Sequence, residues 1–268
     1  MLARLPYNLR MYITFQMVHI RTALSYEADF WIGILGVALT HGIGVVFVWA
    51  LFLRVPEIAG WSIWQVAVLY ALSIIPRGLT ELLCDGQWRL RMLINRGEFD
   101  RLLVRPMSPA LQLITQFSSI HGFGSLILGT VVLVRAVTEL ELSWGIGAWL
   151  ILLLSILSGT VLTSAINYAT NCQGFWDSAS TSSFPFLVQN LAEFAKFPLT
   201  LYDRLVQIVL TWIIPFACVS YYPGLLLLNR PEAQAWMLLV APLAAAAMAT
   251  VAALLWHEGL RRYQGTGH

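Results

Sequence analysis

The sequence predicts an all-α integral membrane protein with six transmembrane helices. Three observations point there. Of 268 residues, 58% are hydrophobic and only 11% charged, with a mean hydropathy of +0.72, whereas soluble domains carry about 25% charged residues. Apolar runs of about 20 residues, the length that crosses a bilayer, recur along the chain. Arginines gather near both termini and in one internal segment, the distribution the positive-inside rule associates with cytoplasmic segments. Eleven tryptophans suit aromatic belts at the two membrane interfaces.

Taken in order, Pro6 to Asp29 puts Leu9, Tyr12, Ile13, Met17, Ile20 and Leu24 at helical spacing, with Arg10, Thr14 and Arg21 largely elsewhere. That pattern predicts an interfacial helix over residues 1–29, lying on the cytoplasmic leaflet. The first strong apolar run starts at Phe30 and is too long for a signal-peptide core, so no cleavable signal is expected. Five spans follow readily: Phe30–Leu53, Trp61 to about Leu83, Leu111–Leu133, Trp144 to about Tyr168, and Ala235–Trp256. Residues 174–222 must supply a sixth if both basic ends, Arg4, Arg10 and Arg21 against Arg261 and Arg262, lie in the cytoplasm. Leu205–Val219 is apolar but short and interrupted by Pro215. Trp176–Lys196 is long enough but polar, from Ser178 through Ser183 to Gln189, Asn190 and Glu193, and it carries Pro185. Its apolar residues share one stripe, and a polar stripe is tolerated where it faces protein or an aqueous path. Trp176–Lys196 is therefore the better fifth span, which leaves 200–222 as an outward re-entrant hairpin broken at Pro215. The whole chain, 1–268, reads as one transmembrane domain.

Between spans two and three lies Gln87–Pro109, with five of the sixteen Lys+Arg residues. It is more than a turn. Asn95-Arg96-Gly97 is a helix stop, because glycine accepts the left-handed C′ position. Glu98 and Asp100 open a new short helix with acidic residues in its first turn. Phe99, Leu102 and Leu103 are expected on one face, flanked by Arg101 and Arg105, and Pro106 ends it. A compact apolar face bounded by glycine and proline fits a protein groove; the plainer alternative is a helix resting on anionic lipid.

Chemistry-bearing patterns are sparse. A phosphate-binding loop needs G-x-x-x-x-G-K-[ST], and the single lysine, Lys196, stands between Ala195 and Phe197. Any ATP and Mg²⁺ must therefore be held by another subunit, and no cofactor is expected in this chain. Cys84, Cys172 and Cys218 are widely spaced and suggest neither disulfides nor a metal site. His121-Gly-Phe-Gly-Ser125 could support an intramembrane hydrolase using Ser125 and His121, but no G-x-S-x-G, H-E-x-x-H or paired-carboxylate pattern accompanies it. Packing is the simpler role for His41 and His121. Arg77, Glu81, Asp85 and Arg89 form an i, i+4 ladder, read first as structural support for the end of span two. Glycines in span one, Ser155, Ser158 and Gly159 in span four, and the alanine run 244–249 predict closely packed helices.

Three motifs in order carry a resemblance. Gly97-Glu-Phe-Asp-Arg-Leu-Leu-Val-Arg-Pro106 resembles the G-x-hydrophobic-D-x-L-L-x-R-P signature of six-span ABC-2 type exporter permeases. Phe197-Pro-Leu-Thr-Leu-Tyr202, Ile214-Pro215-Phe-Ala and Tyr222-Pro223 are similar to the F-P-x-x-x-Y…I-P-x-A…Y-P stretch of that family. Trp256-His-Glu-Gly-Leu-Arg-Arg-Tyr263-Gln-Gly265 looks like its W-x-x-G-L-x-x-Y-x-G ending. The resemblance implies a half-transporter of the bacterial inner membrane with both termini cytoplasmic. It would pair with a second permease, identical or a related paralogue, and with a cytoplasmic ABC ATPase dimer that docks at Gly97–Pro106. It implies no nucleic-acid partner, and lipid is the surrounding solvent. It further implies an outer gate near Pro198, Tyr202 and Pro215, while the polar stripe of Trp176–Lys196 itself suggests a translocation path past Ser182, Gln189, Asn190 and Glu193.

Overall fold

The computed structural model describes residues 7–177 and 183–263. They form an α-helical bundle with five helices long and apolar enough to cross a membrane, and a bent helix pair that would make a sixth. α1 (Tyr7–Ser25) leads into α2 (Glu27–Phe52). A two-stranded hairpin, β1 (Glu57–Ile58) and β2 (Trp61–Ser62), precedes α3 (Ile63–Cys84), which runs on through a 3₁₀ turn, Asp85–Arg89. Three short helices follow: α4 (Leu90–Asn95), α5 (Asp100–Leu103) and α6 (Pro109–Thr115). The long α7 (Gly122–Glu139) and α8 (Ile146–Asn171) come next. Then come α9 (Ser183–Leu191), α10 (Arg204–Ile208), α11 (Ala217–Leu227) and α12 (Val240–Arg262). The two ends of the bundle are here named the hairpin end, for β1–β2, and the basic end, for the arginines of 89–105 and 261–262.

α3 is the central helix. It begins at a capping box in which Ser62 and Gln65 satisfy each other's backbone N–H groups at 3.4 and 3.2 Å. Along its length Val68, Leu69, Ala71, Leu72 and Ile74 are fully buried. Pro76 lies inside it, a residue tolerated in membrane helices where neighbours satisfy the freed backbone. At Gly78 the helix touches α7 backbone to backbone: a Cβ there would stand 2.8 Å from the Gly122 carbonyl, and one at Gly122 would stand 2.4 Å from the Gly78 carbonyl. Small residues permit that approach.

Three apolar clusters divide the core. At the hairpin end Phe52, Trp61, Val66, Leu133, Leu152 and Leu225 pack together. The middle gathers Leu162, Ile166, Val188, Leu210 and Phe216. At the basic end Leu93, Phe99, Leu102, Leu113, Cys172 and Trp256 form the third cluster. The outer surfaces of the long helices are apolar as well, with Ile32, Leu39, Ile43 and Phe47 of α2 all exposed. In water such a patch would be a liability; on a membrane span it is the lipid-facing side.

Two expectations about helix extent need correction. The predicted continuous span Leu111–Leu133 is divided, with α6 ending at Thr115 and α7 starting at Gly122. The cause is the end of α3, whose last carbonyls have no partner within the helix. Ser119 N–H bonds the Glu81 carbonyl at 2.9 Å, and the Ser118 hydroxyl donates to the Leu82 carbonyl. Tyr12 and Gln16 of α1 both donate to the Leu83 carbonyl at 3.0 Å. The segment between α6 and α7 thus leaves helical geometry in order to cap α3. α1 is more than a helix resting on lipid, since its polar residues Tyr12, Gln16 and His19 are bonded to the bundle. Its Val18, Ile20 and Leu24 remain exposed.

The second correction concerns Trp176–Lys196. Its described part is not one span-length helix. α9 has nine residues and continues as a 3₁₀ segment, Ala192–Lys196, about 24 Å of rise in all. Pro185 sits in the first turn of α9, where a missing N–H costs little. Phe186 stacks on Trp88 near the basic end, with ring centroids 5.1 Å apart, while Phe197 packs on the hairpin-end cluster. From there α10 and a π-turn, Val209–Ile213, lead to a 101° bend before α11. Pro215 lies in that bend, where it has no N–H to continue the helix. The chain then returns to the hairpin end, where the Trp144 indole donates to the Leu227 carbonyl at 3.3 Å and Arg230 to the Gly60 carbonyl at 3.0 Å.

Candidate functional site

Two places combine unusual chemistry with defined geometry: the 87–109 segment and a polar cavity beside α3.

The segment first. α4 ends in a Schellman motif. The Glu98 N–H reaches the Leu93 carbonyl at 2.9 Å and the Gly97 N–H reaches the Ile94 carbonyl at 3.1 Å. Gly97 holds φ +67, the left-handed conformation its sequence context predicts. α5 is a single turn, with Asp100 in first-turn position. Its orientation corrects the expected shared apolar face. Phe99 is 0% exposed and Leu102 3%, so both point into the basic-end cluster. Phe99 stands edge-on to Phe175, Trp256 and Tyr263, with centroids 5.4, 6.0 and 4.9 Å away. Leu103 and Val104, at 43% and 84% exposure, point out instead, among the exposed Asp100, Arg101, Arg105 and Pro106, while Glu98 is half-buried. Gln112 fastens the turn from beneath, its amide donating to the Leu102 carbonyl at 2.8 Å and the Met107 carbonyl at 2.6 Å. Burial, with the Asp100 carboxylate beside it, pushes the Tyr263 phenol up to about 12. The element is thus a knob: two side chains anchor it, and an apolar tip edged by arginines projects. Val104 was absent from the sequence-based set. The signal was there, since the residue lies about 140° round a helix from Phe99.

The second place is built on α3. Arg77 bonds Glu81 one turn on at 3.1 Å and Glu193, beyond α9, at 2.9 Å. Glu193 also receives the Lys196 ammonium, and Lys196 is itself 8% exposed. The ladder read as support for one helix is therefore a tie between two segments. Beside it lies a cavity of about 290 Å³ lined by Arg77, Glu81, Asp85, Asn167 and Gln189 among others. Of the residues expected on a translocation path, Gln189 lines this cavity and Glu193 closes the tie next to it. Asn190 stands exposed outside it, and Ser182 lies outside the described residues.

Of the expected gate residues, Pro198 and Pro215 are buried. Tyr202 packs edge-on to Phe194, centroids 5.4 Å apart, and donates to the Phe194 carbonyl at 3.0 Å. The two residues of the hydrolase alternative are not joined. Ser125 is 0% exposed and its hydroxyl lies 3.3 Å from both His41 and Glu81, whereas His121 pairs with Ser119 at 3.2 Å. Glu81 meets the serine rather than a histidine, so among the described residues no acid–base–nucleophile relay is assembled. Among the described residues no group of three or more His, Cys, Asp or Glu is placed to hold a metal.

Comparison with known proteins agrees with this architecture. A family model described as "ABC-2 family transporter protein" matches residues 38–267. No curated protein and no solved structure matches the chain. That family match covers the second half of α2, every later helix and the knob, and its transporters work with an ABC ATPase. An all-α, multi-pass membrane chain with this match belongs to the ABC-2 transporter family, as a permease subunit of an ABC transporter.

Proposed function

We propose that this chain is the membrane-spanning half of an exporter that moves an amphiphilic or hydrophobic substrate outward by alternating access. Two permeases, identical or paired with a related paralogue, form the pathway, and a separate ABC ATPase dimer supplies ATP and Mg²⁺. The basic end faces the cytoplasm of a bacterial inner membrane, which puts both termini inside. Residues 176–196 form the fifth crossing, and the bent pair α10–α11 enters and leaves from the outer side. The contacts of Phe186 and Phe197 at opposite ends of the bundle support that path.

One observation carries the reading: the knob at Leu103–Arg105 is exposed while its roots, Phe99 and Leu102, are locked among aromatic side chains of α12 and the α8–α9 connection. A push on Val104 is therefore delivered to α12 and not absorbed by a loose loop. In that account the groove of the ATPase takes Leu103 and Val104, and Arg101 and Arg105 pair with acidic groups at its rim. Inverted membrane vesicles holding permease and ATPase test it. Wild-type vesicles are expected to accumulate substrate on ATP addition. Vesicles with Val104→Glu are expected to show no ATP-dependent uptake despite normal permease levels. Unchanged uptake in that variant contradicts the proposal.

A further inference from the structure

We infer that the polar cavity beside α3 is a binding site for an organic monocation, an ammonium carrying an aromatic or alkyl group. The inference rests on the export reading for its role as cargo site, and on the cavity itself for its chemistry.

Charge comes first. Arg77, Lys196, Glu81 and Glu193 are joined in ion pairs, two cations against two carboxylates. Asp85 lines the same cavity and has no ion pair within 4.0 Å among the described residues. Arg89, one turn on, lies over the Phe117 ring instead, 3.9 Å from its centroid. His121, which also lines the space, is engaged with Ser119. The cavity therefore holds one carboxylate outside the ion pairs, which feels Arg89 and Arg77 only at longer range, and a buried carboxylate is costly unless it takes up a proton or meets a cation.

Hydrogen bonding comes next. Asn167 is 4% exposed and faces the cavity, yet its side-chain amide makes no hydrogen bond among the described residues. The Thr163 hydroxyl, on a residue 5% exposed, is in the same position. The polar atoms of both are open to the cavity, and the Gln189 side-chain carbonyl on the same wall is buried with no hydrogen-bond partner. Buried polar groups are ordinarily satisfied, so these groups point to a ligand. The third wall is aromatic. Trp88 and Phe186 both line the space, with ring centroids 5.1 Å apart and planes 38° from parallel. Ring faces attract cations, and ring plus carboxylate selects a cation over a neutral molecule.

Each alternative fails on one of these features. An anion meets Asp85 and Glu81 and finds Arg77 already committed to two carboxylates. A purely apolar ligand strands Asp85 and Asn167 without partners, which is how polar sites reject isosteres. The volume, about 290 Å³, is at the small end of ligand pockets. It suits the charged head of an amphiphile and not a whole large one.

The test uses the permease–ATPase complex in lipid nanodiscs with three probes of similar shape: phenyltrimethylammonium, its neutral isostere tert-butylbenzene, and benzenesulfonate. Calorimetric titration should show saturable binding of the cation only. Asp85→Asn should weaken it at least about tenfold, the scale of losing a desolvated charge partner, and Phe186→Leu, at an exposed position, should weaken it several-fold. Equal binding of tert-butylbenzene or benzenesulfonate, an Asp85→Asn affinity like wild type, or no saturable binding overturns the inference. Should Asp85→Asn fail to fold, Phe186→Leu decides the matter, because its side chain is 58% exposed and its loss leaves the core intact. Absent cation binding with the ATPase still bound overturns this inference and leaves the export reading standing. Cation binding by a chain that recruits no ATPase supports the inference and overturns the export reading.

Discussion

Phe99 and Tyr263 meet edge to face, 4.9 Å between centroids with planes at 68°, although 164 residues separate them. One roots the exposed knob and the other follows directly on α12, so the contact couples a surface turn to the last long helix. Aromatic pairs of this geometry add about 0.5–1.5 kcal/mol beyond burial, and Phe99 makes three of them.

The anchor and the tip should therefore separate by mutation. Phe99→Ala removes a fully buried ring and is expected to cost about 3–5 kcal/mol of permease stability, read as a lowered unfolding temperature of the detergent-solubilised protein. Leu103→Glu or Val104→Glu should leave that temperature nearly unchanged, since exposed substitutions fall within about 0.5 kcal/mol, yet remove ATPase co-purification. Loss of stability in the tip variants, or none in Phe99→Ala, runs against the assigned orientation.

Gly97 makes a narrower claim. At φ +67 a β-branched side chain is strained, so Gly97→Val should cost about 1–2 kcal/mol. Gly97→Asn, which tolerates the left-handed region, should cost clearly less. Equal effects from the two would mean that the backbone conformation is not what the glycine supplies.

Glu193 sits between two cations. Glu193→Gln leaves the buried Lys196 without a carboxylate, and a loss of about 2 kcal/mol is expected. That is below the 3–5 typical of a broken buried pair, because the Glu193 side chain is 47% exposed and solvent screens part of the charge. Adding Lys196→Met should recover most of it. A double variant as unstable as Glu193→Gln alone would show that the two residues are not coupled.

Where α3 and α7 cross, Gly122→Ala places a Cβ 2.4 Å from the Gly78 carbonyl. The helices must part, at an expected cost of about 1–3 kcal/mol. Gly36→Ala, with open space around its Cβ, is the control and should be silent in the same unfolding measurement.

Much of this was legible in the sequence because the bilayer imposes strong rules. Runs such as Phe30–Leu53 and Trp144–Tyr168 announce themselves by length and apolarity, and Gly97 and Pro106 bracket the knob by backbone chemistry alone. What the sequence hid was set by tertiary partners. The break before Gly122 exists because Ser118 and Ser119 cap α3, and neither serine reveals its acceptor 36 to 38 residues upstream. The α5 face was misjudged because one helical turn has no periodicity to read; burial was decided by Phe175 and Trp256, far along the chain. The polar cavity was visible only as separate letters. Asp85 belonged to an i, i+4 ladder and Asn167 to an apolar run, and nothing local placed them on one wall.

The central claim is that Leu103–Arg105 is where the ATPase engages, and site-specific photo-crosslinking tests it most directly. A photoreactive amino acid at Val104 in the intact complex is predicted to crosslink to the ATPase subunit in high yield, and one at Leu102, 3% exposed, only within the permease. ATPase crosslinks from Leu102 with none from Val104, while the complex remains assembled, would contradict it.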